Sequence, residues 1–520
     1  MKRILLHIAS TSVMILFIFV LSVCKLSAQS SHLTAWNWAL GGGGTAYQDL
    51  YHANFVNPAN LMLNHDTRPK ITIGVVGGLY AHTGGSLVNI SAYNEYLTSG
   101  FVIEGDVRES LMNEWFGSSP ANVSSVAMDV GVVPFGSVYR GDNWTLSFAY
   151  RVRVAGKAEV SRAFADLLFR GLDSDYFSTP AAVNTLNEYY AWNEWSIGYA
   201  RVIYQNTGLF GFAKNLRIYV GAAPKLTFSN DYTSFLLQSD LTILGATEER
   251  GGEIIHDFVY RLDTAGKRAS RLEEYNRDRV AGLEPDLNDY LDPDVNDFRG
   301  IRGFSLGLDL GVNAEMEFSD KALSDLGIFR GKKSLTVGLS LTDLGSLMFS
   351  DRARTFTADN ILEWQGFSYD REIIDEQFDG DESDYFESVL RDSIGSDIYG
   401  DFRTVTKNRH SVGLPTMLRL GSQLKLGRFA VAADAGIGLN SRGTNSLRPH
   451  LSMGTEYRFF NRIPLRAGYR TGGLYSTTWH VGTGIELRNF EFSIGAATTA
   501  SSRKNGAGIG MAWSGLVFHF

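Results

Sequence analysis

Apolar and polar residues alternate with a period of two along much of this chain. From Phe304 to Phe318, the residues Phe304, Leu306, Leu308, Leu310, Val312, Ala314, Met316 and Phe318 alternate with Ser305, Gly307, Asp309, Gly311, Asn313, Glu315 and Glu317. Earlier, Trp144, Leu146, Phe148, Tyr150, Val152 and Val154 alternate with Thr145, Ser147, Ala149, Arg151 and Arg153. Successive side chains of a strand point to opposite faces, so each stretch carries one apolar and one polar face. A soluble sandwich buries such an apolar face against a second sheet, whereas a membrane barrel turns it to lipid; periodicity alone does not choose. The pattern predicts about fourteen strands, beginning near Lys70, Ser124, Trp144, Ala191, Leu216, Phe304, Leu335, Ser411, Phe429, Leu447, Ile463, Trp479, Phe490 and Ile509.

The connections help to choose, and they favour the barrel. Short turns at Gly141-Asp142, Gly427-Arg428, Asn461-Arg462 and Arg488-Asn489 fall on one side, and the long stretches Ser161 to Tyr189, Asn230 to Arg302 and Ser350 to His410 on the other. Outer-membrane barrels have this asymmetry, with short periplasmic turns and long external loops, and their even strand count returns both termini to the periplasmic side. Two connections on the short side, Gln205 to Ala213 and Asp320 to Lys333, are longer than typical turns. The predicted fold class is all-β: a transmembrane outer-membrane β-barrel of about 14 antiparallel strands. In this reading Leu310→Arg puts a charge in the lipid belt, while Gly311→Ser is mild. The chain ends Leu516, Val517, Phe518, His519, Phe520, which looks like the terminal signal recognised by the barrel assembly machinery.

Composition narrows the picture. A mean hydropathy of −0.09 excludes a bundle of membrane helices. The long apolar run, Ile4 to Val23, follows Lys2-Arg3 and ends near Leu26-Ser27-Ala28, as a signal peptide cleaved before Gln29 would; it is also long enough for an uncleaved anchor. The single cysteine, Cys24, lies within the signal peptide, so the mature chain has no disulfide and no thiol catalyst. Removing Lys2, Arg3 and Lys25, with no acid among residues 1–28, takes the formal charge from −8 to −11. Such an acidic surface disfavours nucleic acid as a partner.

Between the signal peptide and the first strand lies Leu40 to Leu61, LGGGGTAYQDLYHANFVNPANL. Four glycines open conformations closed to other residues and allow close backbone approach, and Pro58 stiffens the end of the stretch. This segment resembles the start of the FadL-type family of outer-membrane long-chain fatty-acid transporters, in which a Gly-rich segment ending in Asn-Pro-Ala forms a hatch inside a fourteen-stranded barrel. The matching residues are Gly43, Gly44, Ala46, Tyr47, Asn57, Pro58 and Ala59. The later strands and long loops look like an uncharacterised branch of that superfamily. The resemblance implies three parts: a signal peptide at 1–28, a hatch at 29–69, and a barrel with long external loops at 70–520. It implies an outer-membrane location in a Gram-negative bacterium and passive binding or transport of a hydrophobic small molecule such as a fatty acid. The hatch and adjoining wall would form its route, with membrane lipid as surroundings. The alternative is a structural or secretion-linked barrel that binds a protein partner through its loops.

Candidate chemistry is sparse. The inferred inner faces carry Arg151, Arg153, Arg448, His450, Glu456, Arg458, Arg466, Arg470, His480, Glu486 and Glu491. Such groups can do acid–base work when held together, but barrel lumens are ordinarily lined by charged residues. No nucleophile motif, phosphate loop or metal-ligand spacing stands out, so the expectation is no enzyme, no cofactor and no metal. The acidic run Asp379, Asp381, Glu382, Asp384 fits either a solvated loop or calcium, without the full spacing of a calcium loop.

Overall fold

The computed structural model describes residues 33–88, 105–170, 173, 175–210, 213–245, 253–281, 283, 289–290, 303–319, 331–349, 353–364, 373, 376–378, 404–407, 409–473, 477–498 and 507–520. The signal peptide and the acidic run from Asp379 to Asp384 lie outside them.

Fourteen antiparallel strands close into a barrel. In chain order they are β1 (Ile71–Gly85), β2 (Val123–Arg140), β3 (Trp144–Ser161), β4 (Thr185–Phe210), β5 (Ala213–Leu244), β6 (Gly303–Phe318) and β7 (Lys333–Leu344, continued by Ser346–Phe349). The second half comprises β8 (His410–Gly413 with Met417–Leu426), β9 (Phe429–Gly438), β10 (His450–Phe459), β11 (Ile463–Gly472), β12 (Thr478–Glu486), β13 (Phe490–Thr498) and β14 (Ala507–Trp513 with Leu516–His519). Each strand pairs with its sequence neighbours, and β1 also pairs with β14, Leu79 opposite Trp513 and Thr72 opposite His519. The terminal residue takes part: Phe520 N–H donates to Ile71 O at 2.9 Å, and Ile71 N–H to Phe520 O at 3.1 Å. Closure leaves no strand edge, the condition for placing a sheet in lipid.

The alternation settles which face is which. On β6, Leu306 is 69% exposed on the outer surface while Ser305, Asp309 and Asn313 are fully buried inside. The same holds on β3, where Thr145, Ser147, Arg151 and Arg153 are buried and Trp144 and Leu146 are exposed. The molecule is thus apolar outside and polar inside, the inverse of a soluble domain and the arrangement a lipid-facing barrel requires.

The hairpins follow local chemistry. At the β10–β11 turn, Phe460 and Asn461 have φ of 51° and 57°, and Arg462 N–H donates to Phe459 O at 2.9 Å. Two positive φ values define the type I′ turn, whose twist matches that of the flanking strands.

Two sequence expectations need correction. The stretch Gln205 to Ala213 is not an extended connection: β4 runs on to Phe210 and β5 starts at Ala213, with Gln205 opposite Arg217 and Thr207 opposite Asn215. Nor is Asn230 to Arg302 simply a loop. The outer part of β5 pairs with Glu253–Gly266, which pairs with Ala353–Trp364, which pairs with Thr404–Lys407, so a sheet stands beyond the barrel on the long-loop side. Polar residues interrupt the alternation there because outside the lipid belt neither face must be apolar.

Residues 33–63 lie inside the barrel and are almost wholly buried. A short helix, Ala35–Ala39, starts the segment, with Thr34 and Asn37 capping each other. Two 3-10 turns, Leu50–Phe55 and Pro58–Met62, follow, the second opened by Pro58 and capped by Asn57. Proline at the first helical position forfeits a donor that would be unsatisfied anyway.

Candidate functional site

An irregular backbone buried at membrane depth must find its hydrogen bonds in protein. Here asparagines and one aspartate supply them. Asn37 Nδ2 donates to Gly43 O at 2.9 Å, Asn57 Nδ2 to Thr45 O at 2.7 Å, and Asn60 Nδ2 to Gly44 O and Gln48 O at 3.0 and 2.9 Å. From the wall, Asp434 on β9 accepts from the N–H groups of Gly44 and Thr45 at 3.1 and 2.8 Å, while Asn313 on β6 donates to Asn60.

The wall makes room for this segment with a belt of glycines. Twelve of the fourteen strands present a glycine that touches it: Gly136, Gly198, Gly221 and Gly311 among the first six, and Gly454, Gly468, Gly482 and Gly510 among the last five. A Cβ at Gly221 would land on Pro58 and Ala59, one at Gly311 on Asn57, and one at Gly468 on Leu40 and Gly41. The remaining two strands supply small residues there, Ala149 of β3 beside Tyr51 and Ala432 of β9 beside Leu40 and Tyr47. The belt is in register across hairpins, with Gly221 opposite Gly311, Gly338 opposite Gly421, Gly454 opposite Gly468, and Gly482 opposite Gly495. Gly311→Ser is therefore not mild: its side chain would occupy the position of the Asn57 amide.

The seven motif residues meet in this setting. Gly43 passes so close to Asp434 that a side chain would collide with the carboxylate, and Gly44 binds the same carboxylate through its N–H. Ala46 and Tyr47 are buried, Asn57 reaches Asn313 Oδ1 at 3.2 Å, and Pro58 and Ala59 lie against Gly221.

The inward charges form two groups. Toward the long-loop end, Arg151 pairs with Glu194, Arg153 with Asp129 at 2.5 Å, and Lys225 with Asp309 at 2.9 Å and with Asp343. Asp343 also lies 3.9 Å from both Arg151 and Arg153, so the pairs join into one buried network. Arg151 sits over the Phe55 ring of the inner segment, 4.1 Å from its centroid. At the short-turn end, Glu456, Arg458, Arg466 and Glu486 close a ring in which each arginine bridges both glutamates. Beside it, Arg68 bridges Asp49 at 3.0 Å and Glu491. Burial pulls the Arg68 guanidinium down, but the Asp49 and Glu491 carboxylates more than offset this and hold its pKa above the usual arginine value. Arg470 is fully buried against Gly42. Arg448 joins neither group: it precedes β10, exposed, with its N–H on Ser446 Oγ at 3.2 Å.

The long-loop mouth is closed by the connection between β9 and β10, which turns inward. Gly443 N–H donates to Glu188 at 2.6 Å, Thr444 Oγ1 to Asp129 at 3.2 Å, and Lys157 Nζ to Ser441 O at 2.8 Å. An axial path through the lumen thus meets this loop, then the ion-pair network, then the inner segment.

The wall is broken at one level on three adjacent strands. Register shifts between Val75 and Gly78 on β1 and between Val132 and Phe135 on β2, and β14 is interrupted between Trp513 and Leu516. Val76 has φ of 48°, and Gly515, at φ of 76°, lies against Val76 O, where no side chain fits. Tyr51 of the inner segment backs this break, its hydroxyl donating to Gly77 O at 2.9 Å. Around it lies an apolar cluster of Leu50, Phe55, Val133, Val138 and Val517, one of several buried apolar clusters that alternate with the charged groups.

Sequence reasoning overlooked Asp129, Glu194, Lys225, Asp343 and Asp434. Their signal is a lone charge on one face of an otherwise apolar or small-residue strand, as Asp434 is in Phe429–Gly438. Among the described residues, no group of three or more His, Cys, Asp or Glu is placed to hold a metal.

No curated protein matches this chain. Solved structures similar to it include a mutant of the TodX monoaromatic hydrocarbon channel (12% identity, TM-score 0.42, covering 94% of this chain and 99% of that one) and the P. putida toluene transporter TodX (11%, 0.42, 95% and 99%). A Pseudomonas aeruginosa FadL homologue is similar at 11% identity and TM-score 0.40, covering 95% of this chain and all of that one. A family model matches residues 58–498, and the chain belongs to that family, DUF5723, a family of unknown function.

Proposed function

We propose that this protein is a passive outer-membrane channel of a Gram-negative bacterium for hydrophobic small molecules, with residues 29–69 as its hatch. The observation that carries this reading is the wall break across β14, β1 and β2, backed by Tyr51 and the apolar cluster of Leu50, Phe55, Val133, Val138 and Val517. The axial path is occupied by buried ion pairs, which an apolar solute would have to part at a cost of several kcal/mol. The broken wall offers instead an apolar contact between lumen and lipid. The hatch residues Gly43, Gly44, Ala46, Tyr47, Asn57, Pro58 and Ala59 then hold the rest of the lumen shut while Tyr51 lines the exit. Fatty acids are the ligand class that the motif resemblance implies.

Uptake of a fluorescent long-chain fatty acid by cells with and without the gene tests this, with Tyr51→Ala and Tyr51→Trp as variants. Uptake should depend on the protein, rise for Tyr51→Ala and fall for Tyr51→Trp. Equal uptake in all four strains overturns the reading. A second reading, a barrel whose loops dock a protein partner, draws on the sheet beyond the barrel, where Val259 and Ile361 are exposed. Co-purification of a stoichiometric protein partner, with no protein-dependent uptake, would favour it.

A further inference from the structure

We propose that the cavity at the short-turn mouth of the lumen binds a small molecule bearing an oxyanion, a carboxylate or a phosphate, through Lys425, Tyr47 and Trp36. The cavity measures about 350 Å³ and lies between the inner segment, its exit at Leu63 to Pro69, and the wall from β6 to β13. That volume stands at the lower end of the roughly 300–1,000 Å³ of ligand sites, so it suits a compact molecule.

The charge balance of its lining chooses the ligand. Every carboxylate there is already matched: Glu315 by Lys332 at 3.2 Å, Glu491 by Arg68, and Glu456 and Glu486 by Arg458 and Arg466. Lys425, on β8, has no ion pair or hydrogen bond among the described residues, and Arg488 at the rim has none either. Tyr47 is 1% exposed, yet among the described residues its hydroxyl has no hydrogen-bond partner, and the buried Trp36 Nε1 has none. The two rings lie 5.9 Å apart, and Arg466 sits 5.3 Å over the Trp36 ring, which fixes that indole between the charged ring and the cavity. A spare ammonium, a phenol and an indole N–H therefore border one space in which every carboxylate is already matched by a cation. Buried donors left unmade are unfavourable, and the complement of three donors with a net positive charge is a group rich in acceptors that carries negative charge. A carboxylate or phosphate has that chemistry; a hydrocarbon does not. The inference is independent of hydrophobic passage, because it concerns the other end of the lumen and a ligand of opposite character.

The test is isothermal titration of the purified full-length protein, in detergent micelles, with benzoate, phenyl phosphate and the neutral control benzyl alcohol. At least one anion should bind with unit stoichiometry and benzyl alcohol should not. Lys425→Met should weaken anion binding by about tenfold or more, and Tyr47→Phe, which keeps the ring, by about fivefold. Dihexanoylphosphatidate binding more tightly than phenyl phosphate would assign the anion to a lipid headgroup, and the reverse order to a free small molecule. Should Lys425→Met fail to fold, as judged by circular dichroism, Tyr47→Phe decides. Equal binding of benzyl alcohol, no binding of either anion, or unchanged affinity in a folded variant overturns the proposal.

Discussion

Strands β9 to β13 run nine or ten residues each and pair without a register shift, whereas β1 to β7 run from 12 to 32 residues and shift register on five of their six hairpins or neighbouring pairs. Both halves keep the same alternation, apolar outward and polar inward, so regularity is not what makes the wall insoluble in water. The difference lies in what the interior asks of it. The regular half meets the glycine-rich start of the inner segment and carries a closed ring of charges at the short-turn mouth. The irregular half meets Tyr51 and Phe55, and its shifts on β1 and β2 fall where the Tyr51 ring lies. Large side chains reach the regular half as well, Trp38 against His480 and Gly495 and Tyr47 beside Ala432, so what sets the irregular half apart is the break that Tyr51 backs and not side-chain size alone.

Removing residues 29–61 breaks this comparison most severely, because both halves lose what the belt was built around. The deletion should conduct ions in planar bilayers far more than the parent while keeping the same β-sheet circular dichroism. A folded deletion with the parent's conductance would show that the segment does not seal the lumen.

The charges sharpen the contrast next. Glu194→Gln leaves Arg151 buried with only Asp343 at 3.9 Å, and removing one partner of a buried pair is expected to lower stability by about 3–5 kcal/mol. Glu486→Gln leaves Arg458 and Arg466 both on Glu456, at 2.6 and 2.7 Å, so the loss should be nearer 1–3 kcal/mol. Urea unfolding from lipid vesicles measures both, and equal losses would erase the distinction between a pair and a ring.

How much of this was legible in the sequence depends on the range of the contact. Alternation is local, so the strands and the inward face of Arg151, Arg153, Glu456, Arg458, Arg466, Arg470 and Glu486 could be read directly. Their partners could not, because Asp129, Glu194 and Asp343 are brought to them by barrel closure. Arg448 was misplaced by counting the alternation two residues past the start of β10, where the chain turns inward instead. Gly311 read as a small residue on a polar face, and only its contact with Asn57 from the inner segment shows that no larger residue fits. The sheet beyond the barrel was missed because lipid, which enforces the pattern, is absent there.

Adjacent residues on β6 separate lipid from lumen. Leu310 is exposed on the outer face, and Leu310→Arg should lower stability by about 2–4 kcal/mol through the bilayer alone. Its effect should shrink in detergent micelles, whose thin and deformable apolar belt lets the guanidinium reach water. Gly311→Ser should lose about 1–3 kcal/mol in both media, since its clash with Asn57 is internal.

The smallest effect isolates the belt from glycine's own chemistry. At Gly468 an added Cβ would meet Gly41 N and the Leu40 backbone, which cannot turn aside, whereas at Gly156 on β3 the nearest atom is Glu188 O at 3.4 Å, an ordinary contact. Both changes to alanine gain roughly 0.4–1 kcal/mol by restricting the unfolded chain. Gly156→Ala should therefore be neutral or slightly stabilising, while Gly468→Ala should lose about 1–3 kcal/mol of overpacking. The two melting temperatures, taken with single-channel conductance, separate two outcomes. A lower melting temperature with the parent's conductance means that the segment stays seated under strain. An unchanged melting temperature with raised conductance means that it yields and leaves the lumen, so the belt positions the segment without holding it.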